Sequence, residues 1–151
     1  MSFDPNSFLS AAITSANDTK LVPVPVGDYQ AIIEKVAPRQ WQSKDGSLTG
    51  IALDVFWSVE DADVKAILGR DTVTVKQGIM LDTITGPNGL ELDGAKGKNI
   101  GLGRLREAVY KNNEGEAFTF DMLPGLMARV HVTHRIAGDD TFSEVKSVSR
   151  L

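Results

Sequence analysis

The apolar positions of the chain follow two periods, one typical of a helix and the other of strands. In the stretch Lys96–Lys111, Leu102, Leu105 and Val109 recur at i, i+3 and i+7, which is the apolar stripe of an amphipathic helix. Asn99 belongs to the residue types that cap helix starts, so we expect its side chain to begin this helix. The pattern therefore predicts one helix of about three turns.

Five runs outside this helix have the composition and alternation of strands, three before the helix and two after it. The second run is the clearest, because Ile51, Leu53, Val55, Trp57 and Val59 share one parity, which we assign to the core. The predicted strands are Asp28–Ala37, Ile51–Val59, Thr72–Leu81, Leu126–Ile136 and Thr141–Leu151.

The order of these elements is β-β-β-α-β-β, which is the order of the five-stranded OB barrel. We therefore predict a mostly β protein with an OB-like Greek-key barrel and one helix between its third and fourth strands. Residues 21–151 are assigned to this barrel domain. Residues 1–20 are predicted to form an N-terminal arm with a short helix over Phe8–Ala16, begun by Asn6 or Ser7.

The connecting segments carry further local signals. Gly78 lies inside the third predicted strand and indicates a bulge or bend. Glu60–Gly69 is predicted to be a short helical turn or a wide loop. Asp82–Lys98 is rich in glycine and is predicted to be a long mobile loop or a small hairpin around Pro87-Asn88-Gly89.

Composition and charge narrow the function classes. Among the 151 residues there is no cysteine, which excludes disulfides, thiolate metal sites and cysteine nucleophiles. The net charge of −4 argues against a binder that acts through bulk positive charge, but a local basic groove on an acidic body remains compatible with it. We expect neither a secretory signal nor a membrane-spanning segment.

No motif of the sequence indicates catalysis. His131 and His134 are three residues apart in a predicted strand, so they lie on opposite faces and cannot chelate one metal together. The glycine-rich run before the helix lacks the Walker pattern, since Asn99 follows Lys98. A small nuclease would need clustered metal-binding carboxylates, and the strands offer none. We therefore predict that the protein is not an enzyme and has no cofactor and no metal.

The remaining polar and aromatic residues indicate a nucleic-acid surface. OB barrels bind single strands along their second and third strands and the loops that join strands one to two and four to five. Such sites combine a positive groove with aromatic faces on which bases stack. The matching residues are Arg39, Trp41 and Lys44 in the first loop, Phe56 and Lys76 on the outer faces of strands two and three, and Arg129, His131 and Arg135 on strand four.

Several short motifs support this interpretation. They are the opening FDP at Phe3–Pro5, VPVGDYQAIIEKV at the first strand, SKDG before the second, GLGRLREAV in the helix and LPGLMARVHV at the fourth strand. In these motifs the chain resembles a family of small bacteriophage single-stranded DNA-binding proteins associated with replication and recombination. Many single-strand binders end in an acidic tail that recruits partners, whereas this chain ends SVSRL.

The resemblance implies an OB fold and sequence-independent binding of single-stranded DNA, in the cytoplasm of an infected bacterial host. It also implies phage replication or recombination proteins as partners, and it is compatible with a homo-oligomer. The alternative from another class is a phage structural or assembly protein, a virion or decoration component, that uses its N-terminal arm for subunit contacts.

Overall fold

The structure, a computed structural model, describes residues 2–151, so the predicted arm is described from its second residue onward. The strands are β1 Gly27–Gln42, β2 Thr49–Val59, β3 Thr74–Leu81, β4 Thr83–Gly86, β5 Gly89–Leu92, β6 Met127–Ala137 and β7 Asp140–Ser149. The helices are α1 Pro5–Ser10, α2 Ala62–Leu68 and α3 Ile100–Ala108, with a 3₁₀ turn at Phe120–Met122.

Five of these strands close into a barrel in the order β1-β2-β3-β7-β6, and β4 and β5 form a separate hairpin. All neighbours in the barrel are antiparallel except β3 and β7, which are parallel and share one register pair, Lys76 with Glu144. The prediction of a mostly β protein with a closed five-stranded barrel is confirmed. The hairpin confirms the turn predicted around Pro87-Asn88-Gly89.

The core forms from the inward parity of the strands and the apolar stripe of α3. Leu53, Val55, Trp57 and Val59 are all buried, as predicted for β2. The buried indole Nε1–H of Trp57 donates to Oε1 of Gln77 at 2.9 Å, which satisfies its hydrogen-bonding requirement inside the barrel. On β6 regular alternation places Val130, Val132 and Ile136 on one face, and the two valines are buried, but Ile136 is 76% exposed because it lies at the far end of the hairpin with β7.

The first strand is longer than predicted. It does not end at Pro38 but continues to Gln42, and Pro38 pairs with Leu53 of β2. Pairing of β1 with β6 stops at Ile32, so the later part of β1 has a neighbour on one side only. A proline can occupy such an edge, because its missing N–H is not needed by a second neighbour. Arg39 and Trp41 therefore lie on β1, not in the loop to which they were assigned.

Helix α3 buries Leu102 and Leu105, and Val109, which directly follows the helix, is also buried, as the periodicity predicts. The expected cap by Asn99 is wrong. Its side chain accepts from the Asp82 amide at 2.8 Å and donates to the carbonyls of Asp82 and Asp93, so it joins the base of the hairpin to the helix start instead. The longer-range contacts outcompete the local cap.

The short helices begin at aspartates. The helix predicted over Phe8–Ala16 is instead Pro5–Ser10, and Asp4, not Asn6 or Ser7, caps it by accepting from the Asn6 amide at 3.1 Å. Proline suits the first helical position, because its fixed φ is helical and no N–H is required there. Helix α2 gives the helical alternative of the Glu60–Gly69 prediction, and Asp61 caps it.

Two further expectations concern single positions. Gly78 forms no bulge, because it pairs in regular register with Asp54. The arm contacts the barrel at its last residue, where Lys20 Nζ donates to the Asp139 carbonyl. Just beyond the arm, the Val24 amide donates to Ser143 Oγ at 2.7 Å. The division of the chain at residue 20 stays a prediction.

Candidate functional site

The outward face of β1, β2 and β3 carries an aromatic ring between two lysines. Phe56 pairs in register with Lys35 on β1 and with Lys76 on β3, so the three side chains form one row across the strands. Lys35 Nζ lies 4.7 Å from the centre of the Phe56 ring, within cation–π range. The ring is only partly buried, and the row adds a second cation to the predicted Phe56–Lys76 pair.

Lys35 was not predicted to belong to this face, because a bulge in β1 changes the direction of its side chain. In a regular strand Lys35 would share the inward parity of Ala31 and Ile33. The register of β1 with β2 shifts between Ile33 and Lys35, which turns the lysine outward. A charged residue at a position that regular alternation would place inward was the available signal.

Trp41 lies over Gly50, its register partner on β2. A Cβ atom at residue 50 would come within 2.7 Å of Cε2, Cζ2 and Nε1 of the indole, so the ring rests directly on the glycine backbone. Its Nε1–H has no hydrogen-bond partner within residues 2–151. The absence of a side chain at residue 50 therefore places Trp41 flat against the outside of the barrel.

Arg39 is held by an ion pair two residues away from this ring. Its Nε donates to Oδ2 of Asp54 at 3.0 Å, and the Asp54 residue is only 6% exposed although it has outward parity. Gly78 lies opposite Asp54 and leaves the carboxylate open on that side. Because the pair is charge-assisted and partly desolvated, Arg39 is a fixed cation on this face.

Lys44 lies in the loop between β1 and β2, beside a carboxylate that the loop itself stabilises. Asp45 accepts hydrogen bonds from the hydroxyl and amide of Ser47 and from the Ser43 hydroxyl. These bonds favour the charged form and lower the pKa of Asp45 to about 2, with the Ser47 hydroxyl as the largest cause. The loop therefore presents Lys44 next to a permanently ionised aspartate.

The three predicted residues on β6 do not all belong to this face. In the barrel order β6 neighbours β1 and β7 but neither β2 nor β3. Arg129 pairs with Gln30 of β1, and the His131 ring Nδ1 lies 2.9 Å from Asp28 Oδ1, so both lie around the barrel from Phe56.

Arg135 lies nearer to the row through β7. Its Nε is 3.5 Å from Oε2 of Glu144, and Glu144 is the register partner of Lys76. Arg39, Trp41, Phe56 and Lys76 thus lie at different positions along the outward face of β1, β2 and β3, and Lys44 lies in the adjoining loop. Arg135 is linked to Lys76 through Glu144, whereas Arg129 and His131 lie on another part of the barrel. The role of these residues in DNA binding stays a prediction.

Within residues 2–151 no three His, Asp or Glu side chains lie close enough to hold a metal ion. No helix in that range has the length and apolarity required to cross a membrane. Compared with protein-family models and with curated proteins, the chain gives no significant match.

Proposed function

We propose that this chain is an OB-fold protein that binds single-stranded nucleic acid. Support for the OB assignment comes from the strand order β1-β2-β3-β7-β6 with its one parallel pair, β3 and β7. A five-stranded Greek-key barrel of this class has a helix between its third and fourth strands. Helix α3 precedes β6, the fourth strand of the barrel in chain order, and packs against β3 and β7.

The observation that carries the binding function is the row in which Phe56 lies between Lys35 and Lys76. Stacking on an aromatic ring tolerates every base, because each base has a π face, and flanking cations attract the phosphates. Trp41 on the same strands offers a second ring. The arrangement suits binding that does not depend on base sequence.

The more particular proposal is a bacteriophage single-stranded DNA-binding protein. It rests on the motif resemblance, and it assigns the protein to the protection of single strands during replication or recombination in the cytoplasm of an infected host. On this proposal the protein is not an enzyme and its partners include phage replication or recombination proteins.

Fluorescence anisotropy of a labelled oligo-dT, with duplex DNA as competitor, tests the proposal. We expect binding to the single strand that weakens as salt rises, because counterions are released from the phosphates. Phe56→Ala should weaken binding about 5- to 150-fold, since one stack contributes about 1–3 kcal/mol.

The matched control is Phe8→Ala, which removes an equally large exposed ring from the arm and should leave the affinity unchanged. An unaltered affinity of Phe56→Ala would refute the role of the row. Absence of any binding at low salt would refute the function.

A second function, subunit assembly through the arm, is favoured by one observation. Phe3, Phe8, Leu9 and Ile13 are each more than two-thirds exposed, which is an unusual density of apolar surface for a free segment. If the arm joins subunits, light scattering should give a mass above that of one chain. The double substitution Phe8→Ser and Leu9→Ser should then reduce that mass to one chain without changing the affinity for oligo-dT.

A further inference from the structure

A groove of about 1210 Å³ lies where the barrel closes, between β3 and the end of β7. The two strands share only the pair Lys76–Glu144, and beyond it no further register pair joins them within residues 2–151. Helix α3 packs against both strands and lines the groove from the side. The volume exceeds the roughly 300–1,000 Å³ of ordinary small-molecule sites, which favours an extended occupant.

The lining of the groove carries five basic side chains and only two carboxylates, Asp93 and Glu107, although the chain as a whole is acidic. Lys98, Arg104 and Lys146 line it, and their side chains make no hydrogen bond or ion pair with any residue of the described range. Two other arginines of the lining are already engaged, and one of them, Arg150, is bound to Glu107 at 2.6 Å. Three unpaired cations in one concave surface attract an anion.

A buried amide belongs to the lining of the same groove. Gln77 lines it and is only 8% exposed. Its Oε1 accepts from the Trp57 indole, and because the indole N–H can only donate, the amide orientation is fixed with Nε2 as the free end. Nε2 has no hydrogen-bond partner within residues 2–151, yet it is not sealed from solvent. An occupant with acceptor oxygens would satisfy it.

The start of α3 adds positive potential to this side. Among the described residues 2–151 no side chain caps the first turn, since Asn99 is bound to the hairpin instead. Gly101 and Gly103 also line the groove, and at Gly103 an added Cβ would meet no atom within 4 Å. The free amides at a helix start favour anionic oxygens, and the glycines allow close approach to the backbone.

From these observations we infer that the groove binds the sugar-phosphate backbone of the same single strand whose bases stack on the Phe56 row. The two sites meet at β3, because Gly78 and Met80 belong both to the groove lining and to the strand that carries Lys76. This inference rests on the proposed function and extends it. The strand passes over β3 and continues past α3, so the groove contributes only when the oligonucleotide is long enough.

The test compares oligonucleotides of about 4 and about 16 nucleotides, the range of site sizes of single OB barrels. The triple variant Lys98→Ala, Arg104→Ala and Lys146→Ala should bind the short oligonucleotide as the wild type does. For the long one its affinity should fall about tenfold or more at moderate salt. The slope of log affinity against log salt should be smaller by about 2, for three phosphate contacts at about 0.7 each.

The matched control is the triple variant Lys20→Ala, Lys65→Ala and Arg70→Ala, which removes the same charge outside both sites and should leave the long-oligonucleotide affinity unchanged. A second pair of variants separates charge from bulk. Gly103→Gln and Gly103→Glu have similar volume and equal room, so both should fold, but the carboxylate alone should strongly weaken the long complex.

The results distinguish the two proposals. If the groove variants bind both oligonucleotides like the wild type while Phe56→Ala loses affinity, the groove inference is wrong and the proposed function stands. If the groove variants lose the same affinity for the short and the long oligonucleotide, the groove inference is also wrong. If the groove variants lose affinity only for a labelled polyglutamate peptide, the groove serves an acidic protein segment and the inference is wrong. If the wild type binds neither oligonucleotide, both proposals fall.

Discussion

Replacing Gly50 with alanine tests whether the glycine is what seats Trp41 on the barrel. The new Cβ would lie 2.7 Å from three atoms of the indole, whereas carbon atoms in contact lie about 3.5–4.0 Å apart. The ring must therefore move outward by about 1 Å, against backbone that cannot yield within a paired strand. We expect the displaced ring to become more accessible to solvent.

Two opposing contributions determine how Gly50→Ala changes the free energy of unfolding. Forcing an extra methyl group into a filled contact costs about 1–3 kcal/mol. The loss of glycine's freedom in the unfolded chain returns about 0.4–1 kcal/mol. Gly50→Ala should therefore lower the free energy of unfolding by about 1–2 kcal/mol, which urea titration measures directly.

The refuting result comes from the same substitution made in a Trp41→Ala background. With the ring absent, nothing occupies the site of the new Cβ, and Gly50→Ala should then be neutral or slightly stabilising. An equal loss of stability in both backgrounds would show that another contact, not the indole, excludes a side chain at residue 50. Acrylamide quenching gives an independent reading, because Trp57 is buried and only Trp41 can gain exposure.

Three other predictions concern single polar contacts. Arg39→Ala should lower the free energy of unfolding by about 1–3 kcal/mol, because it leaves the buried Asp54 carboxylate unpaired. In the double variant with Asp54→Ala, urea titration should show that most of the lost free energy of unfolding is restored. If none is restored, the loss does not come from the unpaired Asp54 carboxylate. The pKa of Asp45, about 2 in the folded protein, lies below its ordinary value. Its stabilising contribution is therefore present above the ordinary value and lost as pH falls towards 2. An NMR midpoint near 4 for its carboxyl carbon would contradict the loop geometry. Gln77→Leu should destabilise the protein by about 1–3 kcal/mol, because the Trp57 indole loses its only acceptor, and an unchanged melting temperature would refute that role.

The alternation of apolar residues was sufficient to predict the barrel strands and the buried face of α3, because burial on one side imposes a period on the sequence. Along β2, Leu53, Val55, Trp57 and Val59 of the predicted inward set are buried, whereas Ile51 is only half-buried and Ala52, which has outward parity, is fully buried. The same logic failed for Asp54, which has outward parity but is covered. Its burial depends on Arg39 from the neighbouring strand, which no local pattern within β2 records.

The candidate site was predictable only in part, since it depends on register. Phe56 and Lys76 follow from parity alone, whereas Lys35 reaches the row through a bulge that shifts parity by one residue. Asn99 had the right chemistry for a cap, but contacts with the distant hairpin win over the local bond. Arg129 and His131 were assigned to the site because they lie on the fourth predicted strand. In the closed barrel that strand, β6, lies between β1 and β7 and not beside β2 or β3.

The single register pair between β3 and β7 makes that junction the seam of the barrel. Because β3 and β7 share only one register pair, local opening of the barrel should begin between these two strands. The amides of β3 beyond Gln77 should therefore exchange with solvent faster than those of β2. A single strand of nucleic acid that lies on the Phe56 row and continues into the groove crosses this junction of β3 and β7. Its binding energy then also holds the barrel closed, and amide exchange along β3 should slow in proportion to occupancy with long oligonucleotides but not with short ones.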